Sequence, residues 1–201
     1  MIMPSIIEET GGIERHYDPL SRLVKDRILY LFGEVSDEMA LIVNSTLLWL
    51  EKDNPDQEIW MYIQSPGGSV LAGNSIYDVM QTIKPDINTV AVGYACSMGS
   101  FLLAAGSKGK RFSLPSSRIM IHEVSSGIGQ TTATDMRIQM DEVLELRDDL
   151  NMKLAYHCGK TKKQIEEDTK WDKWMSAKEA KEYGLIDDII PYHKINKTFL
   201  K

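Results

Sequence analysis

Apolar and polar residues in this chain follow two alternating periods. Leu29 to Phe32 is a short apolar run closed by Gly33, which predicts a strand. Ser36 then offers a helix cap, and Asp37 and Glu38 suit the positive end of the helix dipole. Met39, Ile42, Val43, Thr46, Leu47 and Leu50 recur at helical spacing and predict one buried face, which Asp53-Asn54-Pro55-Asp56 brings to a stop. Ile59, Met61 and Ile63 alternate with Trp60 and Tyr62, the pattern of a strand apolar on both faces, and Ser65-Pro66-Gly67-Gly68 forces a turn. A helix over about 70–83 ends before Pro85, a strand covers 89–92, and the small residues of 97–105 predict a closely packed helix.

The second half keeps the rhythm. Strands are predicted over 111–114 and 118–122 around Pro115-Ser116-Ser117, followed by a glycine-containing loop over 125–130. Met136, Met140, Val143, Leu144, Leu150 and Leu154 then mark an unusually long helix from about Ala133 to Cys158, stopped by Gly159. Thr161 with Gln164 and Ser176 with Glu179 have the spacing of capping boxes, and Gly184 precedes a strand over 185–190. Repeated strand-helix units predict an α/β fold with a largely parallel sheet, where ligands meet strand carboxyl ends and helix amino ends.

Composition narrows the class. With 201 residues, 43% of them hydrophobic, the chain is long enough for one substantial core. A net charge of -6, without a basic stripe, argues against nucleic acid as a partner. Cys96 and Cys158 have neither disulfide nor metal-ligand spacing, which fits a reducing cytoplasm. The first ten residues lack the basic start and apolar stretch of a signal peptide, and no run is apolar enough to span a bilayer, so no membrane association is expected. No GxxxxGK[ST] loop is present, so no nucleotide cofactor is expected on this chain, and no histidine or cysteine pair has the spacing of metal ligands.

Ser97 stands where a strand turns into a helix, behind Gly93 and Ala95 and before Met98 and Gly99. A hydroxyl at such a turn sits beside unpaired helix N–H groups that can stabilise an oxyanion, the arrangement of a nucleophile elbow; a serine helix cap is the alternative. Gly67 and Gly68 bring bare backbone near, so that Gly68 and Met98 N–H groups become candidate oxyanion donors. His122 ends an apolar strand where a base can meet that hydroxyl, whereas His16, His157 and His193 sit among polar residues. Asp172, between Trp171 and Trp174, is the candidate orienter of the base, shielded by the two rings. Cys96 is the rival nucleophile.

Taken in order, Ser65-Pro66-Gly67-Gly68, the run from Gly93 to Leu103 through Cys96-Ser97-Met98-Gly99, Met120-Ile121-His122, and Tyr183-Gly184-Leu185-Ile186-Asp187 resemble the proteolytic subunit of the Clp protease, the ClpP family. The resemblance runs from about Ile6 to Pro191 and implies the ClpP/crotonase-like fold, with the helix at about 133–158 as the handle joining two stacked seven-membered rings. It implies an axial-loop segment at 1–17, a peptidase domain at 18–201, and the triad Ser97, His122 and Asp172 with Gly68 and Met98 as oxyanion donors. It also implies a Clp-type AAA+ ATPase that feeds unfolded polypeptides into the chamber for protein quality control. Trp60 and Tyr62 match positions in the pocket that receives a loop of that ATPase; core packing is their alternative.

Two departures qualify the resemblance. Glu123-Val124 replaces the family's usual Gln-Pro after His122, and Trp171 stands where many members carry an arginine in an inter-ring salt bridge. They lead to an alternative expectation: an atypical paralogue that is a silent or weakly active ring subunit of a mixed complex.

Overall fold

The computed structural model describes residues 4–127 and 129–193; the outermost residues of the expected axial segment and of the expected peptidase domain, and Ile128 of the 125–130 loop, lie outside them. The described chain opens with an antiparallel hairpin, β1 (Ile6–Thr10) and β2 (Ile13–Tyr17), within the segment expected to form an axial loop. Helix α1 (Pro19–Lys25) follows, capped by Asp18, and the hairpin is tied to it by an ion pair between Glu8 and Arg22.

Among the described residues the main sheet has seven strands. Its spine is the parallel set β3 (Ile28–Phe32), β4 (Ile59–Ser65), β5 (Ile87–Cys96), β6 (Arg111–Ser113) and β9 (Asp188–Ile189). Between these strands run α2 (Asp37–Asp53), α3 (Val70–Thr82) and α4 (Met98–Ala104), each starting at a serine, as predicted for Ser36 and Ser97 and found also for Ser69. Strand β5 is the branch point. Thr89 to Ala91 pair with β6, and after Gly93, at φ 67°, Tyr94 to Cys96 pair instead with β7 (Arg118–Ile121). Strand β8 (Lys173–Ser176) runs antiparallel to β7, so that the start of β8 lies beside the end of β7. This fork gathers the carboxyl ends of β4, β5 and β7 and the amino end of β8 in one place.

The core sits on one face of the sheet. Ile59, Met61 and Ile63 of β4 pack with Leu47 and Leu50 of α2, Ile76 of α3, and Leu102 and Leu103 of α4, all 1% exposed or less. Helix α4 is buried along its whole length, as its small residues predict. On α2 the buried face is Ala40, Val43, Leu47 and Leu50, rotated from the expected one; Ile42 is 66% exposed.

The long helix α5 (Ala133–Cys158) has the predicted bounds and a left-handed stop at Gly159. Only its last turns, through Asn151, Leu154, Ala155 and Cys158, are buried; Met136, Met140 and Leu144 are exposed. Helices α6 (Lys162–Thr169) and α7 (Ala177–Tyr183) start at Thr161 and Ser176. Thr161 accepts from the Gln164 N–H, and at Ser176 the cap is closed from both sides by Glu179. The strand expected at 185–190 shrinks to β9, while β8 was not expected.

Arg27 is 3% exposed and adopts φ 63°. Its guanidinium donates to the carbonyls of Leu50, Asn54, Gln57 and Glu58, so one side chain closes the end of α2 and the turn that leads into β4.

Candidate active site

Ser97 leaves β5 with φ 53° and ψ -123°, a region that L residues avoid at a cost of about 1–3 kcal/mol. What holds it there is a set of hydrogen bonds to the end of β7. The Ser97 N–H donates to the Met120 carbonyl at 2.9 Å, and the Ser100 hydroxyl, 2.7 Å from the carbonyl oxygens of both Ser97 and Met120, shares its one proton between them. At about 1 kcal/mol net for each buried bond, these offset the strain. The Ser97 side chain makes no capping bond to α4, so the alternative reading as a helix cap fails. Its Oγ lies 2.9 Å from His122 Nε2 instead.

His122 follows β7 directly and is half-buried. Its Nδ1 lies 3.5 Å from Asp172 Oδ1, the distance of an ion pair rather than of a short hydrogen bond. Asp172 comes within reach because Lys173 pairs with Ile121 across β8 and β7, which sets the residues on either side of that pair next to each other. The expected shielding by indole rings is absent in the single chain. Trp171 is 81% exposed, Trp174 49%, and the Asp172 carboxylate 62%, because β8 is an outer strand that pairs, among the described residues, with β7 alone.

The glycine turn after β4 borders the nucleophile. A Cβ on Gly67 would lie 2.6 Å from Ser97 Cβ and 2.9 Å from the Cys96 carbonyl oxygen, and φ is 98°, so only glycine fits. Gly68 forms a parallel bridge with Val35 in which Val35 N–H donates to the Gly67 carbonyl and Ser69 N–H to the Val35 carbonyl. In that pattern the N–H of Gly68 itself points away from Val35. Gly68, Ser97 and Met98 line one pocket, whose apolar wall comes from Val70, Phe101, Leu150 and Leu154. That wall can take an apolar side chain of a bound peptide, beside the polar groups Ser125, Asn151 and Thr169 that also line the pocket.

The other candidates separate clearly. Cys96 is 5% exposed, and burial, helped by the negative charge of Asp172, pushes its thiol above the usual range. A thiol held protonated is a poor nucleophile. Cys96→Ala is therefore expected to keep peptide turnover within about threefold of wild type, measured on a fluorogenic peptide; a loss as large as that of a nucleophile variant would reinstate the thiol. His157 was read as lying among polar residues, yet its ring is packed edge-on against Tyr77 with Nε2 3.1 Å from the tyrosine hydroxyl. Burial, with the Arg111 charge nearby, lowers its pKa to about 4, and it lies apart from Ser97.

Trp60 and Tyr62 lie on the face of β4 opposite the core, half-buried. Trp60 stacks on Phe112 at 5.9 Å between ring centres and Tyr62 on Tyr30 at 6.3 Å, forming an aromatic row across the sheet rather than core packing. Glu123, one of the two departures, is held by Arg147 of α5 at 3.2 Å. Val124, half-buried, joins the pocket lining. Sequence reasoning missed Ser100 as a support of the elbow, although it stands inside the quoted motif; Gly67, read there as bringing bare backbone near, packs directly against Ser97.

Among the described residues, no three His, Cys, Asp or Glu side chains gather as a metal-ligand set, and no helix is long and apolar enough to cross a membrane. A family model described as Clp protease matches residues 11–193.

Proposed function

We propose that this chain, which belongs to the Clp protease family, is a serine endopeptidase with Ser97 as nucleophile, His122 as general base and Asp172 as the group that orients the base. Membership supports a ClpP-type peptidase working in an oligomeric assembly; the residue roles rest on geometry. The observation that carries them is the 2.9 Å contact between a strained, non-capping Ser97 hydroxyl and His122 Nε2.

In the first step Ser97 Oγ bonds to the carbonyl carbon of the scissile peptide while its proton passes to His122 Nε2. The negative charge on the carbonyl oxygen is taken up by the N–H groups of Gly68 and Met98, a donor pair of which each member contributes on the order of 3 kcal/mol. As the C–N bond breaks, the proton moves from His122 to the leaving amine. Water then attacks the acyl-enzyme with His122 again accepting a proton, and Ser97 is regenerated with release of the new carboxylate. Asp172 stabilises the imidazolium that forms twice in this cycle.

The same reading extends to the assembly. Two stacked heptameric rings joined through α5 give the exposed Met136, Met140 and Leu144 an apolar partner. The aromatic row around Trp60 and Tyr62 offers a docking face for a loop of a Clp-type AAA+ ATPase, which delivers unfolded polypeptide; ATP is used there and not on this chain. The β1–β2 hairpin is the axial segment. Two free thiols fit a cytoplasmic setting.

A fluorophosphonate probe is expected to label Ser97 in the assembled protein, with the adduct mapped by peptide mass spectrometry. Ring assembly without labelling would overturn the assignment and support the catalytically silent subunit.

A further inference from the structure

Among the described residues, the one ion-pair partner of the Asp172 carboxylate is His122, at 3.5 Å, and most of the carboxylate faces solvent. Its position must therefore be set by the backbone on either side. Upstream, Thr169 ends α6, is 3% exposed, and returns its hydroxyl to the Ile165 carbonyl. Downstream, Lys173 enters β8 opposite Ile121. Between them runs Lys170-Trp171-Asp172, and across its mouth Lys173 Nζ meets Asp168 Oδ1 at 2.5 Å.

A third group fixes this bridge. The Tyr183 hydroxyl at the end of α7 donates to the other oxygen of Asp168 at 2.9 Å. The Tyr183 ring also lies 5.0 Å from Lys173 Nζ and 4.3 Å from Lys160 Nζ, within cation–π range. Burial works to raise the Asp168 pKa, but the Lys173 ammonium and the Tyr183 hydroxyl outweigh it and hold the carboxyl below its ordinary value. The Asp168 side chain is only 21% exposed, which makes the bridge stronger than a surface pair, typically worth less than about 1 kcal/mol.

We infer that Asp168, Lys173 and Tyr183 form a clasp that closes the loop carrying Asp172 and so sets the placement of that carboxylate against His122. The three are positioning residues, since none reaches the reacting atoms. The inference rests on the serine peptidase reading above. A loop this short, closed by a bridge at both ends, has few conformations left, and a displacement of about 1 Å in a catalytic group can lower turnover by as much as a hundredfold.

The test uses the full chain in its native assembly, with mass checked by native mass spectrometry. Lys173→Met is expected to lower kcat about ten- to hundredfold with KM little changed, Tyr183→Phe to lower it less, and Lys173→Arg to restore most of the loss. The rate of fluorophosphonate labelling of Ser97 supplies a second readout. It should fall in Lys173→Met, but Lys173→Met should have no further effect once Asp172→Asn is present, because the clasp acts through Asp172. Equal effects in both backgrounds, a change in KM alone, or unchanged kcat would overturn the clasp. If Lys173→Met disassembles the protein, full kcat in assembled Tyr183→Phe overturns it as well. Ser97→Ala, run alongside, separates the two claims: turnover that survives it sinks the serine reading, whereas Ser97-dependent turnover indifferent to Lys173→Met sinks the clasp alone.

Discussion

Ser97→Ala is expected to lower peptide hydrolysis by about 10⁴-fold or more in kcat while leaving the fold and the assembly in place. The reasoning is that His122, Asp172 and the Gly68–Met98 donor pair act on an attack that only the Ser97 hydroxyl can begin. Without it they have nothing to activate, and only positioning and oxyanion stabilisation of a slow attack by water remain. The substitution removes one oxygen whose recorded bond is to His122 and leaves the backbone bonds to Met120 and Phe101 intact, so no large structural response is expected. Removing the hydroxyl should also raise affinity or leave it unchanged for a bound peptide, since the pocket wall of Val70, Phe101, Leu150 and Leu154 is untouched. A fluorogenic peptide assay on the assembled variant, with circular dichroism as a fold check, measures both. Turnover within tenfold of wild type would remove Ser97 from the mechanism.

The second large effect concerns stability. Arg27→Ala is expected to destabilise the fold by about 3–5 kcal/mol, read from urea denaturation. Four carbonyl oxygens depend on this guanidinium, those of Leu50, Asn54, Gln57 and Glu58, and the one to Leu50 is fully buried. Hydrogen bonds from a charged donor contribute about 1.5–3 kcal/mol each, and acceptors left without water or partner forfeit their solvation as well. The sum is limited because Asn54 and Gln57 lie near the surface, where water can replace the donor. The ion pair to Asp53 at 3.6 Å adds little, its carboxylate being more than half exposed. Lysine should not rescue, since one ammonium cannot span carbonyls from residues 50 to 58 in the way a planar fork does. A shift below about 1 kcal/mol would show that the turn closes without Arg27.

The parts of the fold that were legible in the sequence are those determined locally. The serine cap at Ser36, the glycine stop at Gly159 and the strict alternation from Ile59 to Ile63 all have near-neighbour causes, and the elements stand where those causes put them. Strand β8 was not legible. Lys173-Trp174-Met175-Ser176 carries no strand pattern of its own and is extended only because it pairs with β7. Periodicity also identifies an apolar stripe without saying what covers it, which is why Ile42 stands within the stripe of α2 yet is exposed, and why Met136 and Met140 mark the period of α5 without being covered. In the candidate site, adjacency of motif to element end located Ser97, His122 and Gly68. The openness around Asp172 was hidden, since Trp171 in the loop before β8 and Trp174 on that outer strand point where the tertiary structure allows and not where sequence proximity suggests.

The fork in β5 gives the pocket a property that the rest of the molecule lacks. Side chains of a strand alternate between faces, so a slip of β7 by a single residue along Tyr94–Cys96 would turn His122 to the far side of the sheet. The same slip would turn Ile119 and Ile121, 0% and 2% exposed and part of the main core, outward, so burial fixes the register on which the place of His122 depends. Core packing and the reach of the base are thus set by one alignment, and the fraction of Ser97 that reacts with a probe counts the chains whose fork has closed in step.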